Sequence, residues 1–192
     1  PDILKDFTCN YPHIDLSLLR LDWGYLNKSL EKDEIDLAFT FDLGFENMSE
    51  IKRLRICPVD IAVAVSNDHR LSSRDSIKLS ELADEPMIIF PRNVNTLWYD
   101  RIIQMCTQNG FYPNIVREHP RAETRLMMVE AGIGVAVVTS LIETCSSHNL
   151  KFISIKDNDT SLNLIAAWKK TNTNPAISHF LHQIENYHIK HA

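Results

Sequence analysis

Apolar residues along this chain follow two rhythms, one of three to four residues and one of two, and the rhythms exchange repeatedly from end to end. In "DILKDF", Ile3, Leu4 and Phe7 share a helical face, and Pro12 in "NYPH" stops the helix. "HIDLSLLRL" alternates Ile14, Leu16 and Leu18 with Asp15 and Ser17, which predicts a strand. "YLNKSLEKDE" predicts a short helix and "IDLAFTF" a strand. "LRI" and "DIAVAVS" predict two more strands, separated by Pro58. "LSELADEP" is a short helix stopped by Pro86, and "MIIF" is a buried-type strand. "TLWYDRIIQMCTQNG" places Trp98, Ile102, Met105 and Cys106 on one helical face, with Gly110 at the C-terminal cap. "NIVRE" is a strand, "AETRLMMVEA" a helix with Leu126 and Val129 inward, and "VAVVT", "LKFISI" and "LNLIAAW" are strands. The short helix "LIETCSSH" falls between the first two of these. Asn174 caps a final helix that begins at Pro175 and buries Ile177, Phe180, Leu181 and Ile184. Alternating helices and strands predict an α/β class with largely parallel sheets.

"VEAGIGVAVVTS" carries a Gly-x-Gly at Gly132 and Gly134. A dinucleotide loop needs strand, then glycines, then helix, because the helix N-terminus holds the pyrophosphate. Here the glycines follow a helix and precede a strand. Gly132 is therefore read as a left-handed helix terminator, and Gly134 as a close backbone approach.

Composition narrows the class. The 192 residues are 44% hydrophobic and 23% charged, as in ordinary globular chains. No apolar run approaches the roughly 20 residues that span a bilayer, and "PDILKDF" lacks a secretory apolar core. The net charge of -5 argues against binding duplex DNA unaided. Cys9, Cys57, Cys106 and Cys145 are widely spaced, without zinc-ligand or C-x-x-C spacing, and read as free thiols. His179 and His182, with His188 and His191, read as a solvated helix face rather than metal ligands. No nucleophile, zincin or P-loop motif is present, so no enzyme, cofactor or metal is expected.

Five segments together carry a family likeness. "MMVEAGIGVAVVTS", "LEKDEIDLAF", "VAVSNDHRL", "IKLSELADEPMIIF" and "NLIAAWKKTNTNPAISHFLHQIE" resemble, in order and spacing, the effector-binding domain of LysR-type transcriptional regulators. The appearance is nearest to regulators of aromatic-compound degradation, through "PNIVRE" and "AAWKK". Arg70 and Thr139 stand where that family usually has proline, and Asp33 where it has glycine. The family's strand before the first helix, and its winged helix-turn-helix, are not in this sequence. The resemblance implies two Rossmann-like lobes joined by crossing strands, as in type 2 periplasmic-binding proteins. Lobe I would be residues 1–60 with 166–192, and lobe II residues 61–165. A small carboxylate, aromatic or unsaturated, would sit in the interlobe cleft and control the conformation of a DNA-bound oligomer.

The resemblance and the residue chemistry converge on a set of candidate ligand contacts. In lobe I they are Trp23, which opens a helix and would offer a ring, and Thr40 and Phe41 at a strand end. Trp23 is equally readable as packing, and Asp42 as a turn residue. In lobe II, "PRNVNTLW" offers Arg92, Asn93, Asn95 and Thr96 at a helix start, where free N–H groups favour an anion. The alternative is that Asn93, Asn95 and Thr96 are plain capping residues. Arg121 and Thr124, with His119, are candidates for the far wall.

The expected partners are the small-molecule effector and further copies of the chain, as homodimer or homotetramer. DNA would be contacted only through the helix-turn-helix domain. No membrane contact is expected, and the expected location is cytoplasmic. The dimer expected from the resemblance pairs the first helix (residues 1–9) with the helix over 97–108, which would then show spare apolar surface. A free-standing solute-binding protein of a transporter is the alternative reading.

Overall fold

The computed structural model describes residues 2–21, 23–45, 48–145, 149–156 and 162–191. In chain order its elements are α1 (Asp2–Asn10), α2 (Trp23–Glu31), β1 (Ala38–Phe41), β2 (Ile51–Val59), β3 (Ile61–Ser66), β4 (Ser76–Ile77) and β5 (Pro86–Ile89). They continue with α3 (Thr96–Gln108), β6 (Asn114–Glu118), α4 (Ala122–Glu130), β7 (Ala136–Thr139), β8 (Leu150–Ile155), β9 (Leu162–Lys169) and α5 (Pro175–His191). Short 3-10 helices, Leu79–Leu82 and Ser140–Cys145, stand where "LSELADEP" and "LIETCSSH" predict short helices, and residues 146–148 of the latter lie outside the described residues. The chain divides into two units, Pro1–Cys57 with Asn163–Ala192, and Pro58–Leu162. It passes between them twice, within β2 and within β9.

The first unit is built on a sheet of order β1-β9-β2. β1 runs antiparallel to β9, from Ala38 opposite Ala167 to Phe41 opposite Leu164. β9 is covered on both faces, which explains its near-continuous apolar run. Ile165 and Ala167 pack with Leu30, Phe45 and Ile51. Ala166, of opposite orientation, packs with Phe7, Phe180 and Ile184. The Phe7 and Phe180 rings meet at 4.6 Å.

Two expectations fail in and beside this sheet. "HIDLSLLRL" alternates like a strand, yet residues 15–21 pair with no strand. Alternation supplies the side-chain pattern but not a neighbouring backbone to bond to. A groove of about 900 Å³ lies along this segment, with Ile35 to Phe39 on its other side, and Leu18 and Leu19 stand 69% and 67% exposed. Pro58, expected between strands, instead lies inside β2, which occupies an edge of its sheet, where proline is tolerated. Asp33, in the place of the family's glycine, has φ 58°, a left-handed conformation that aspartate tolerates. Its carboxylate accepts from Lys169 Nζ at 2.6 Å.

The second unit holds a sheet of order β4-β8-β3-β7 and the pair β5-β6. β3 is antiparallel to both β7 and β8, while β4-β8 and β5-β6 are parallel. The sheets are thus mixed rather than largely parallel: in the four-stranded sheet β4, β7 and β8 share one direction and β3 alone runs against them. All of Ile61 to Val65 is buried. Arg70, at the family's proline position, puts its guanidinium 2.6 Å from Glu85 Oε1. His69 Nδ1 accepts from the Leu71 amide, which leaves Nε2 to donate to Glu85 Oε2 at 3.1 Å.

The glycine pair behaves as its order implied. Gly132 has φ 72°, and the Ile133 amide returns to Met128 O at 3.1 Å, closing α4. At Gly134 a Cβ would sit inside the contact shell of the Pro86 carbonyl oxygen. That closeness lets Val135 donate to Pro86 O and Ile88 to Val135 O, each at 2.8 Å.

The spare apolar surface expected on the first helix is not seen. The exposed positions of α1 are Lys5, Asp6, Thr8, Cys9 and Asn10, because Ile3, Leu4 and Phe7 pack inward beside α5. On α3, Leu97 is 52% exposed.

Three measurements follow from this packing. Gly134→Ala should lower stability by about 1–3 kcal/mol or more in urea unfolding, since the Pro86 backbone has no room to yield. Asn95→Ala should cost about 1 kcal/mol in the same assay, because Asn95 Oδ1 accepts from the Trp98 amide at 3.0 Å and caps α3. Burial pushes the Cys106 thiol up to about 11, so in the native protein a thiol reagent at pH 8 should label exposed Cys9 and leave Cys106 unmodified.

Candidate anion site at the ends of β5 and β6

β5 and β6 run parallel, so their carboxyl ends meet at one edge of the second unit. Ile89 lies opposite Glu118, and the His119 amide donates to Ile89 O at 3.1 Å. Phe90 and His119 are the next residues out. Beyond Phe90 the chain turns into α3, and beyond His119 it turns into α4. Two helix N-termini therefore open from the same strand edge, each bringing unsatisfied N–H groups and the positive end of a dipole. In parallel α/β sheets this edge is where ligands are held.

The α3 start is organised by its own loop. Asn95 caps it through Trp98, and Thr96 Oγ1 donates to Arg92 O at 3.2 Å. Arg92 forks onto Asp100, Nε to Oδ1 at 2.9 Å and Nη2 to Oδ2 at 3.2 Å. That hydrogen bond holds the Asp100 carboxyl below its ordinary range. The pair is therefore intact at neutral pH and is lost only as pH falls through the depressed carboxyl pKa. Arg92, Asn95 and Thr96 thus use their polar groups within the loop, in the capping manner, while Asn93 is exposed. The Thr96 and Leu97 amides at the helix start have no acceptor among the described residues.

The α4 start differs. Its N-cap, Arg121, makes no side-chain cap bond, and the Arg121 amide donates to His119 Nδ1 at 3.2 Å. Arg121 is exposed and Thr124 half-buried. One residue further, unsuspected from the sequence, is Arg125, only 5% exposed. Its Nε and Nη1 have no hydrogen-bond partner among the described residues, and its Cζ lies 5.3 Å from the centre of the Phe90 ring. Burial pulls its pKa down to about 10, with Glu123 opposing, so it is cationic at neutral pH. The sequence signal was present but weak: a helix whose buried face reads Arg125, Leu126 and Val129 carries a cation among its core positions.

In the first unit, Thr40 is buried and Phe41 half-buried at the end of β1. Asp42 accepts from the Asn163 amide at 3.0 Å and from Asn163 Nδ2, so it ties β1 to β9. The Trp23 side chain lies outside the described residues. His179 and His182 are exposed, with His179 beside the Tyr11 ring, and the side chains of His188 and His191 lie outside the described residues. Among the described residues no group of three or more His, Cys, Asp or Glu could hold a metal. Among them also, no helix is long and apolar enough to cross a membrane.

Comparison with known proteins agrees with this architecture. The HTH-type transcriptional regulator AlsR of Bacillus subtilis (strain 168) is 27% identical over 182 residues, which cover 95% of this chain and 60% of AlsR. BudR of Raoultella terrigena, also an HTH-type transcriptional regulator, is 24% identical over 179 residues, 93% of this chain and 61% of BudR. The chain therefore spans about 60% of the length of these relatives. Among solved structures, the BenM effector binding domain with its effector benzoate superposes with a TM-score of 0.84 at 20% identity, covering 100% of this chain and 86% of that one. The LysR family regulator CbnR superposes at 0.80 and 20% identity, over 97% and 64%. The fold is thus that of LysR effector-binding domains, the type 2 periplasmic-binding-protein-like fold. The LysR substrate binding domain model matches residues 1–188, and the chain belongs to that family.

Proposed function

We propose that this ligand-sensing domain takes a small carboxylate, aromatic or unsaturated, at the carboxyl ends of β5 and β6. The observation that carries the reading is the convergence of two helix starts, α3 and α4, on one strand edge, with the Thr96 and Leu97 amides free to donate. Such a start stabilises a carboxylate by about 0.3–2 kcal/mol through the dipole alone. The benzoate carried by the BenM domain, of the same fold, supports an aromatic carboxylate as the class. Asn93, exposed in the α3 loop, and Arg121 and Thr124 at the α4 start are the contributors proposed from the second unit. Trp23, Thr40 and Phe41 are proposed from the first, on the strength of the resemblance.

In this reading no bond is made or broken. The ligand acts through a difference in affinity between two states of the regulator, and shifts their populations by that difference. The protein acts in the cytoplasm as an oligomer, and DNA is read by a part of the regulator outside this chain, as the names of the helix-turn-helix relatives suggest.

A thermal-shift panel of benzoate and other aromatic or unsaturated carboxylates, each beside its neutral amide, tests this. A ligand at about 100 times its Kd adds roughly 2.7 kcal/mol to the native state, which for a chain of this size is a rise of about 5–10 °C in Tm. At least one acid should raise Tm while its amide does not. Equal responses to acids and amides would reject a carboxylate site.

A further inference from the structure

Arg125 presents a charge imbalance that no described residue resolves. It and Glu85 are the charged side chains buried in the second unit among the described residues. Glu85 is already committed to His69 and Arg70. Glu123 lies two residues before Arg125 on α4, a spacing that turns side chains away from each other, and it reaches Arg125 through electrostatics alone. Two buried nitrogens of the guanidinium are left with hydrogens and no acceptor. Interiors ordinarily pair such groups, and the penalty for an unpaired buried ion exceeds that for any other unsatisfied group.

Helical side chains lean toward the N-terminus of their helix. Arg125, in the second turn of α4, therefore leans over the first turn, whose start is uncapped by any side chain. The Phe90 ring, at the carboxyl end of β5, fixes one face of the guanidinium. The amides of the α4 start and the guanidinium thus serve one space at the strand edge.

We propose that Arg125 is the ion-pairing anchor of the ligand, supplying the acceptor-seeking N–H groups that a carboxylate of the bound molecule satisfies. This rests on the reading of the β5-β6 edge as the effector site. It adds a residue that neither the sequence motifs nor the α3 loop indicated. One buried cation is neutralised by one negative charge, and a planar carboxylate matches the guanidinium plane. A phosphate dianion would carry a second charge into the same space, where no second buried cation stands among the described residues. The site therefore selects monoanions, and the α3 start contributes orientation rather than charge.

The test uses a small carboxylate and its neutral counterpart. Wild-type protein with 15N-labelled arginine is titrated with sodium acetate, then with acetamide, at constant ionic strength. The Nε–H signal of Arg125, identified by its absence in Arg125→Gln, should move saturably with acetate and stay still with acetamide. Arg125→Gln should lose the acetate-dependent rise in Tm. An Arg125 signal unmoved by acetate overturns the proposal; should Arg125→Gln not fold, uniformly 13C,15N-labelled wild type assigns the same signal through its scalar couplings to the Arg125 backbone. If acids raise Tm equally in wild type and Arg125→Gln, the carboxylate reading stands and the anchor is elsewhere. If no acid acts on Tm or on the signal, both readings fall.

Discussion

The contact between Gly134 and the Pro86 carbonyl holds the second unit in register. Through it, β5 joins β7 by two hydrogen bonds of 2.8 Å, and β5 in turn carries β6. Any side chain at Gly134 would push the two strands apart. The consequence reaches the far ends of the strands. The position of Phe90, and hence of the guanidinium above it, depends on where β5 is clamped, as does the start of α3. A single hydrogen atom in place of a methyl group thus sets the geometry of the strand edge about four residues away.

The same glycines show what was legible in the sequence. The order helix, glycine, strand excluded a nucleotide loop and assigned both glycines backbone roles; that of Gly132 depends on local chain direction alone, while that of Gly134 is a close approach whose partner, Pro86, the pattern did not name. The helices α3, α4 and α5 were legible for the same reason, since their apolar spacing and caps are short-range signals. "HIDLSLLRL" was not, because a strand is defined by a partner that the sequence pattern does not name. Pro58 misled as a separator, because proline's place in a sheet depends on which strand lies at the edge.

For the candidate site, sequence reasoning found the α3 loop and the α4 approach but judged residues by exposure and type. Arg92 carried the obvious charge, and the structure spends that charge on Asp100, five residues into α3. Arg125 sat unremarked inside an apolar helical face, where an arginine looks like an ordinary solvated residue until its burial is known. At Arg125 it is solvation, not identity, that makes the side chain exceptional. The overall charge of -5 gave no hint of it.

The two units differ in how their sheets end. β3 is hydrogen-bonded along both flanks, to β7 and β8, and every residue from Ile61 to Val65 is sealed from water. β1 is bonded to β9 on one flank only, and its other side borders an open apolar groove. Amide protons of β1, at a sheet edge, should therefore exchange through smaller openings than those of β3, which is bonded along both flanks.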